Sequence, residues 1–380
     1  MQLPNIANCF VALLSMIEAR GIFYPFLMAG RREGQGTVSL PPNFFCNDKP
    51  INLLMAGREG EKGTAPPPPY HLPVLADEVS HWMNASAGQH IIDGTLGGGG
   101  HSEIFLQQGA SVLAIDRDSD ALEYASRRLY KYRENFHPWQ ANYAEMPHHP
   151  ALEMMGKADG ILLDLGVSSH QLDCAERGFS FQKDGPLDMR MGSDAICSAA
   201  EFVNQATEEE LTHCFKSLGE EPQARRIARA ITDHRKKIPF SRTAELAGCI
   251  EALLGRHGKT HPATRTFQAI RMHINQEMPK LQEALHAALT CLKPGGRLLI
   301  ITFHSLEDTA VKQFLHEHAK PTIDDPTWPA AKPNPHHFLT LPVRKSIAPQ
   351  RSEILRNPRA RSAKLRVAIR NQNSINATTV

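Results

Sequence analysis

Short apolar runs alternate with amphipathic stretches through most of this 380-residue chain. Short runs rich in β-branched residues are typical of strands, whereas apolar positions three or four apart are typical of helices. The pattern predicts strands at Gln89–Ile92, Val112–Ile115, Trp139–Tyr143, Ala158–Leu165, Arg297–Phe303 and Lys364–Ile369. Such alternation predicts a doubly wound α/β sheet that binds its ligands at the carboxyl ends of the strands.

A helical region interrupts this alternation between Ser198 and about Gly258. Pro222 is expected to open one of its helices, because proline suits the first turn. The apolar stripe of that helix is Ala224, Ile227, Ala228 and Ile231. After it, a long helix over His261–Leu292 is predicted to return the chain to the sheet. We therefore expect a sheet domain in two parts, 69–175 and 261–372, around a helical insertion at 176–260, with a tail at 373–380.

Residues 1–68 do not read as part of this fold. Leu27–Arg31 recurs as Leu54–Arg58, and Pro66–Pro69 predicts a stiff, extended spacer. The segment fits a disordered, low-complexity leader, or a chain start placed too far upstream with Met55 as the true start. A transit peptide stays open as a third alternative. In each case we expect the segment to be dispensable for chemistry.

A glycine-rich loop follows the first strand. Asp93 ends the strand, four glycines occupy 97–100, and Ser102 is expected to cap the next helix. The dinucleotide pattern G-x-G-x-x-G fits no register, whereas Asp-x-x-x-Gly-x-Gly-Gly from Asp93 fits an S-adenosylmethionine (SAM) loop. Asp116, about 20 residues on at the end of the second strand, is placed to bind ribose hydroxyls. The competing interpretation is a flexible strand-to-helix turn. In the predicted sheet Asp93, Asp116, Tyr143 and Asp164 share one edge.

Composition excludes some classes of protein. The formal net charge of +2 says little about partners. Seven scattered cysteines without a C-x-x-C pair argue against a disulfide framework and a cysteine zinc site, and for a reducing compartment. No run of about 18 apolar residues predicts a transmembrane helix.

Seven motif blocks resemble the MraW family of ribosomal RNA small subunit methyltransferases H. They are Asp-Gly-Thr-Leu-Gly-Gly-Gly-Gly-His-Ser (93–102), Leu-Leu-Asp-Leu-Gly-Val-Ser-Ser (162–169), Arg-Gly-Phe-Ser-Phe (177–181), Asp-Gly-Pro-Leu-Asp-Met-Arg-Met (184–191), Pro-Ala-Thr-Arg-Thr-Phe-Gln-Ala (262–269), Phe-His-Ser-Leu-Glu-Asp (303–308) and Asn-Pro-Arg-Ala-Arg-Ser-Ala-Lys-Leu-Arg (357–366). They occur in the family's order, and the resemblance spans about His71 to Arg370.

The resemblance implies a class I SAM-dependent methyltransferase fold, Rossmann-like, with a helical insertion. The implied activity is methylation of the exocyclic N4 of a cytidine in the decoding region of 16S rRNA, cytidine 1402 in the usual numbering. The implied SAM contacts are Gly99, Gly100, His101, Asp116, Tyr143, Asp164 and Gln171. The family usually has Phe where Leu96 and Tyr143 stand, Ser where Thr302 stands and often Arg where Thr309 stands. Tyr143 keeps the aromatic ring that would cover adenine, whereas Thr309 lacks the arginine side chain that would make an RNA or active-site contact after Asp308.

The cytosine amine is a poor nucleophile, so a group that accepts its N–H bonds and takes its proton would assist methyl transfer. Asp164 is the candidate, with a purely structural or SAM-binding role as the alternative. His304, with Glu307 and Asp308, ends another strand and is expected either to line the same pocket or only to cap a helix. His101 has no partner at metal-ligand spacing, so we expect no metal.

Two basic clusters, 225–242 and 344–370, hold seven and nine Lys and Arg residues. Beside a SAM loop they favour phosphate binding, although solvated faces often look alike. We expect 16S rRNA, in the small ribosomal subunit, as partner and the cytoplasm as location. An organelle import role for the leader and the oligomeric state stay open. A SAM enzyme acting on protein or a small molecule, and a non-catalytic RNA-binding factor, are the rival hypotheses.

Overall fold

The computed structural model describes residues 73–372, except 151, 153–155, 257, 259, 325, 326 and 328. The predictions for the leader at 1–68 and the tail at 373–380 concern residues outside this part of the chain. Among the described residues, no helix combines the length and the apolarity needed to cross a membrane.

Seven strands form one mixed sheet in the order β3-β2-β1-β4-β5-β9-β8. The first five strands of that order pair in parallel, and β9 and β8 continue the sheet antiparallel. Their bounds are β1 His90–Asp93, β2 Ser111–Asp116, β3 Phe136–Gln140, β4 Ala158–Asp164, β5 Leu292–Thr302, β8 Leu339–Thr340 and β9 Lys364–Arg370; a separate pair consists of β6 Thr322–Ile323 and β7 Lys332–Pro333. The doubly wound α/β prediction is confirmed.

Helices cover both faces of this sheet. The bounds of those in the first half are α1 Ala76–Met83, α2 Gly100–Gln107, α3 Ser119–Arg128, α4 Ser169–Asp173, α5 Ala199–Gln205, α6 Glu208–Ser217, α7 Ala224–Arg235 and α8 Thr243–Leu254. The others are α9 Thr264–Ile274, α10 Glu277–Cys291, α11 Ser305–Ala319 and α12 Arg351–Arg356, with short 3₁₀ turns at Tyr130–Tyr132, Tyr143–His148, Ala175–Arg177 and Pro358–Ser362. Buried residues of α10 and α11 pack on one face, and those of α1, α2 and α3 pack on the other.

The helical region has an apolar core of its own. Ala224, Ile227, Ala228 and Ile231 are all buried in it, as the stripe of α7 predicted. The same cluster continues through α9 to Ile274. The boundary expected at residue 260 stays a prediction, but the apolar contacts of the helical region reach beyond it.

The predicted long helix over His261–Leu292 is wrong, because the chain breaks between α9 and α10. Gln276 adopts a left-handed φ of 51° at the break. Asn275, fully buried, donates from its side chain to the Met189 carbonyl and accepts from the Met191 N–H. The break thus ties the end of the 166–191 segment to the start of α10.

Three further boundaries differ from the predictions. The third strand is Phe136–Gln140 rather than Trp139–Tyr143. Pro138 lies inside this strand, where a proline usually argues against strand structure, but β3 is at the edge of the sheet, where proline is tolerated. Pro222 precedes α7 by two residues instead of opening it, and β5 begins at Leu292 and ends at Thr302 rather than spanning Arg297–Phe303. The segment after Gly166 contains the short helix α4, whose Ser168 and Gln171 form a capping box.

Candidate active site

The glycine loop joins the end of β1 to the start of α2. Gly97 and Gly99 have left-handed φ values of 49° and 75°, and Gly99 is the N-cap residue of α2. A Cβ atom on Gly99 would lie 2.9 Å from the Leu129 side chain, and one on Gly100 would lie 3.0 Å from Pro73. These two positions therefore need glycine for backbone conformation or for close packing.

Ser102 lies inside α2 and is not its cap, which corrects the prediction. Its hydroxyl donates to Asp93 Oδ2 at 2.7 Å, and Asp93 Oδ1 accepts from the Thr95 N–H at 3.2 Å. Burial raises the pKa of Asp93, although these hydrogen bonds oppose the rise. Asp93 therefore anchors the two ends of the glycine loop from beneath.

Asp116 ends β2 beside this loop. Its Oδ2 accepts from the Gly97 N–H at 2.8 Å, and its Oδ1 accepts from the Asp118 N–H at 2.9 Å. Burial raises the pKa of Asp116 to about 6, against the lowering effect of these two hydrogen bonds. The carboxylate is fixed at the position where the second-strand acid of a nucleoside-binding sheet contacts ribose.

One pocket gathers the ends of β1, β2, β4 and β5. Of the seven implied SAM contacts, six line it, namely Gly100, His101, Asp116, Tyr143, Asp164 and Gln171. Gly99, the N-cap of α2, does not line the pocket and packs against Leu129 and Ala125. Arg117, Met191, Glu277, Met278, Leu281, Phe303 and Glu307 complete much of the wall.

His101 and Asp164 face each other in this pocket, with 3.5 Å between His101 Nε2 and Asp164 Oδ2. Among the described residues, neither ring nitrogen of His101 has a hydrogen-bond partner, nor has Asp164 Oδ1, and all three atoms are buried. Buried polar atoms without partners are uncommon in folded proteins. Together with the glycine cradle, they fit a polar ligand such as SAM.

Sequence reasoning missed the residues that hold the pocket's outer wall. Arg177 Nη1 lies 2.8 Å from Asp118 Oδ2, which also accepts from Gln171 Nε2 at 2.8 Å. Arg117 Nη2 lies 2.7 Å from Asp194 Oδ2. Both arginines therefore fasten the 166–194 segment beside Asp116. Only the tertiary structure brings these partners together, so the local pattern gave no signal for them.

The structure separates His304 from the pocket wall. His304 caps α11: its Nδ1 accepts from the Glu307 N–H, and its Nε2 lies 2.9 Å from Glu307 Oε1. Glu307, and not His304, lines the pocket. The H-S-L-E spacing at 304–307 is a capping-box spacing, which is the signal that could have shown Glu307 turned back toward the strand end.

The two basic clusters differ in how their charges are used. On α7, Arg225, Arg226 and Arg229 are exposed, on positions that alternate with its buried stripe. In the second cluster, Arg359 pairs with Asp173 at 2.7 Å, and Lys364 and Arg366 pair with Asp308 at 2.9 and 2.8 Å. Part of the second cluster therefore fastens the C-terminal segment to the sheet domain.

Comparison with known proteins gives a consistent family. Residues 69–371 match the model of the MraW methylase family. The chain is 47% identical over 307 residues to "Ribosomal RNA small subunit methyltransferase H" of Syntrophus aciditrophicus, covering 79% of this chain and 98% of that one. It is 46% identical over 309 residues to the protein of the same name from Brucella ovis, covering 80% of this chain and 88% of the relative.

Among solved structures, a chain described as "a putative methyltransferase from streptococcus mutans in complex with SAH" aligns at a TM-score of 0.36 and 13% identity, covering 78% of this chain and 94% of that one. The sequence matches extend across both the sheet and the helical region. They confirm the predicted family and its cofactor, S-adenosyl-L-methionine. The chain thus belongs to the MraW methylase family.

Proposed function

We propose that this protein transfers the methyl group of SAM to the exocyclic N4 of a cytidine in the decoding region of 16S rRNA, cytidine 1402 in the usual numbering. The names of the relatives support small-subunit rRNA as the substrate. The observation that carries the proposal is a hydrogen bond between the connection that precedes the basic helix α7 and the segment that follows β5. Glu220, in the connection that leads into α7, accepts a hydrogen bond from Ser305, which stands between the pocket residues Phe303 and Glu307.

The exposed cations of α7 therefore follow a connection that contacts Ser305, which lies in sequence between two pocket residues. Phosphate contacts by Lys and Arg supply much of the affinity for nucleic acid. A base must leave its stack before its amine can enter a pocket of this kind. In this arrangement α7 holds the backbone of the RNA while the target base enters beside Glu307 and Asp164.

The cofactor supplies an electrophilic methyl group when bound. Gly99, Gly100, His101, Asp116, Tyr143, Asp164 and Gln171 are the residues proposed to bind or cradle it. Asp164 Oδ1 also accepts one N–H of the amine and takes the proton that leaves, because this oxygen is buried and unpartnered among the described residues. His304 acts indirectly, by positioning Glu307.

The test compares acceptors for label from tritiated SAM: small ribosomal subunits that lack the modification, free 16S rRNA and bulk protein. The proposal expects label in 16S rRNA, and loss of that label when the target cytidine is replaced by uridine. Comparison of subunits with free RNA identifies the form that is recognised. Label confined to protein would support the rival acceptor class and overturn the proposal.

The proposed partner is 16S rRNA, within the small ribosomal subunit, and the proposed location is the cytoplasm, where such a substrate is made. Fractionation followed by immunoblotting checks the location. Recovery in the membrane or in an organelle fraction would contradict it.

A further inference from the structure

A second buried carboxylate stands in the wall of the pocket, on the strand next to Asp164. Glu307 is 3% exposed, lines the pocket and belongs to the segment that follows β5. Asp164 ends β4, the parallel neighbour of β5, and pairs in register with Ile301. Asp164 and Glu307 therefore approach the pocket from the carboxyl ends of adjacent strands.

Glu307 is held rigidly and is ionised. Its Oε2 accepts from the Phe303 N–H at 2.9 Å, and its Oε1 lies 2.9 Å from His304 Nε2. Burial alone would raise the pKa of Glu307, but the neighbouring His304, the Phe303 N–H and Arg271 lower it overall. A carboxylate oxygen has two lone pairs, so Oε1 keeps one acceptor position beyond its contact with His304.

Glu307 shares the pocket wall with a second carboxylate, Glu277. Glu277, which also lines the pocket, pairs with Arg271 through two bonds of 2.8 Å, from Nε to Oε1 and from Nη2 to Oε2. Ligand atoms of Glu277, His304 and Glu307 lie within 4.8 Å of one another, the spacing of a metal site. Because Arg271 pairs with Glu277 and His304 lies beside Glu307, a hydrogen-bond donor suits the acceptor position left on Glu307 better than a divalent cation does.

We propose that Glu307 is a further catalytic residue, which accepts one N–H of the acceptor's exocyclic amine while Asp164 accepts the other. This inference rests on the proposed function. Both a cytosine and the adenine of the cofactor carry such an amine. The acceptor is favoured because Glu307 follows β5, whereas the ribose carboxylate Asp116 ends β2, two strands beyond β4 in the sheet.

Two in-plane acceptors leave the π lone pair of the amine nitrogen free to meet the methyl group. In the transfer, that lone pair forms the new N–C bond, and the electrons of the broken S–C bond go to sulfur. The electrons of one N–H bond return to nitrogen, and its proton passes to Asp164. The second hydrogen stays covalently bound to nitrogen and hydrogen-bonded to Glu307, so the methylated base leaves with one hydrogen on N4.

The test uses Glu307→Gln, which keeps the shape but presents a weaker acceptor, and Glu317→Gln as the control, an exposed glutamate of the same helix. SAH affinity is expected to stay within about twofold, while kcat falls about 10- to 100-fold, as for loss of a hydrogen bond to a charged group. Glu307→Asp, which keeps the charge on a shorter stem, is expected to recover part of the rate. The control is expected to retain wild-type kcat.

A second experiment removes the amine from the RNA base instead of the carboxylate from the protein. Oligoribonucleotides of the target sequence carry either cytidine or 2-pyrimidinone, which lacks the amine, and bind protein loaded with SAH. Wild type is expected to prefer cytidine about tenfold, and Glu307→Gln to lose most of that preference. A merely structural role for Glu307 would weaken binding of both oligonucleotides alike.

Three outcomes would overturn the inference. They are an unchanged kcat in Glu307→Gln, an unchanged preference for the amine-bearing base, and a selective loss of SAH affinity, which would assign Glu307 to the adenine. In these cases wild-type protein still methylates its rRNA, so the proposed function stands. If wild type itself labels no rRNA, the proposed function fails and the role of Glu307 fails with it.

Discussion

The main-chain nitrogen of Gly97 donates a 2.8 Å hydrogen bond to Asp116, 19 positions further along the chain. This bond joins the glycine loop after β1 to the carboxylate at the end of β2. The glycine loop and Asp116, which their spacing in the sequence predicted to lie at one site, are thus in direct contact. The contact also means that cofactor affinity and loop conformation depend on the same carboxylate.

Replacement of Asp116 by Ala is expected to weaken SAM binding about 10- to 100-fold, because hydrogen bonds to an ionised carboxylate are lost. Isothermal titration with SAM or SAH measures the change. Asp116→Asn, which resembles the protonated acid, is expected to lie between wild type and Asp116→Ala. An unchanged affinity in Asp116→Ala would refute the ribose assignment.

The pKa of Asp116, raised to about 6 by burial, predicts a pH dependence of cofactor binding. If SAM binds the ionised form, affinity is constant above about pH 7 and falls as the pH drops through 6. Stability has the opposite sign: the folded protein binds this proton more tightly than the unfolded chain does, so this group's contribution to stability declines as the pH rises from about 4 through 6. Asp116→Asn is expected to remove both dependences, and their persistence in that variant would contradict this origin.

Alanine at Gly99 is expected to reduce the free energy of unfolding more than alanine at Gly97. Both residues have left-handed φ values, which cost an L-residue about 1–2 kcal/mol. Only at Gly99 would the new Cβ also meet a side chain, at 2.9 Å from Leu129, whereas at Gly97 nothing lies within 4 Å. Chemical denaturation of both variants measures the difference, and equal losses would show that the Leu129 contact is relieved without cost.

His304→Asn is expected to move the acid limb of the kcat profile to higher pH. Asparagine remains a good N-cap for α11, but the contact of the imidazole with Glu307 Oε1 is lost. Because His304 lowers the pKa of Glu307, its removal lets Glu307 take up a proton at a higher pH. Activity at alkaline pH should change little. A profile that drops uniformly, without a shift of the limb, would indicate a structural defect instead.

Alanine substitutions at Arg225, Arg226 and Arg229 are expected to weaken binding to the small subunit without changing SAM affinity. If all three contact phosphates, the slope of log affinity against log salt should fall by about 2–3 units. Arg127→Ala is the matched control, an exposed arginine of α3 that pairs with Glu123. A salt slope unchanged from wild type would place the RNA on another surface.

The local features of the site were readable from the sequence, and its long-range contacts were not. The glycine loop, Asp116 and Asp164 stand at strand ends, where hydrophobic runs and spacing mark them, and all three lie at the pocket. The wall formed by Glu277 and Glu307 needs the break at Gln276 and the packing of α10 beside α11. A helical periodicity that continues across residues 264–291 hides that break.

Ser102 and His304 are two residues whose type and position suggested one role while the structure shows another. Serine after a glycine loop resembles a cap, yet Ser102 is buried and holds Asp93. Histidine at a strand end resembles a catalytic group, yet His304 caps a helix and turns Glu307 toward the pocket. In both cases the side chain contacts a buried carboxylate, Asp93 for Ser102 and Glu307 for His304, and this contact is seen only in the tertiary structure.

Identification of the methylated nucleoside tests the central claim most directly. Small subunits lacking the modification are incubated with the protein and SAM that carries a deuterated methyl group, and the digested 16S rRNA is analysed by mass spectrometry. The account predicts that the label appears in N4-methylcytidine and that Asp116→Ala protein yields little of it. Label in another nucleoside, or measurable SAM binding with no label in rRNA, would contradict it.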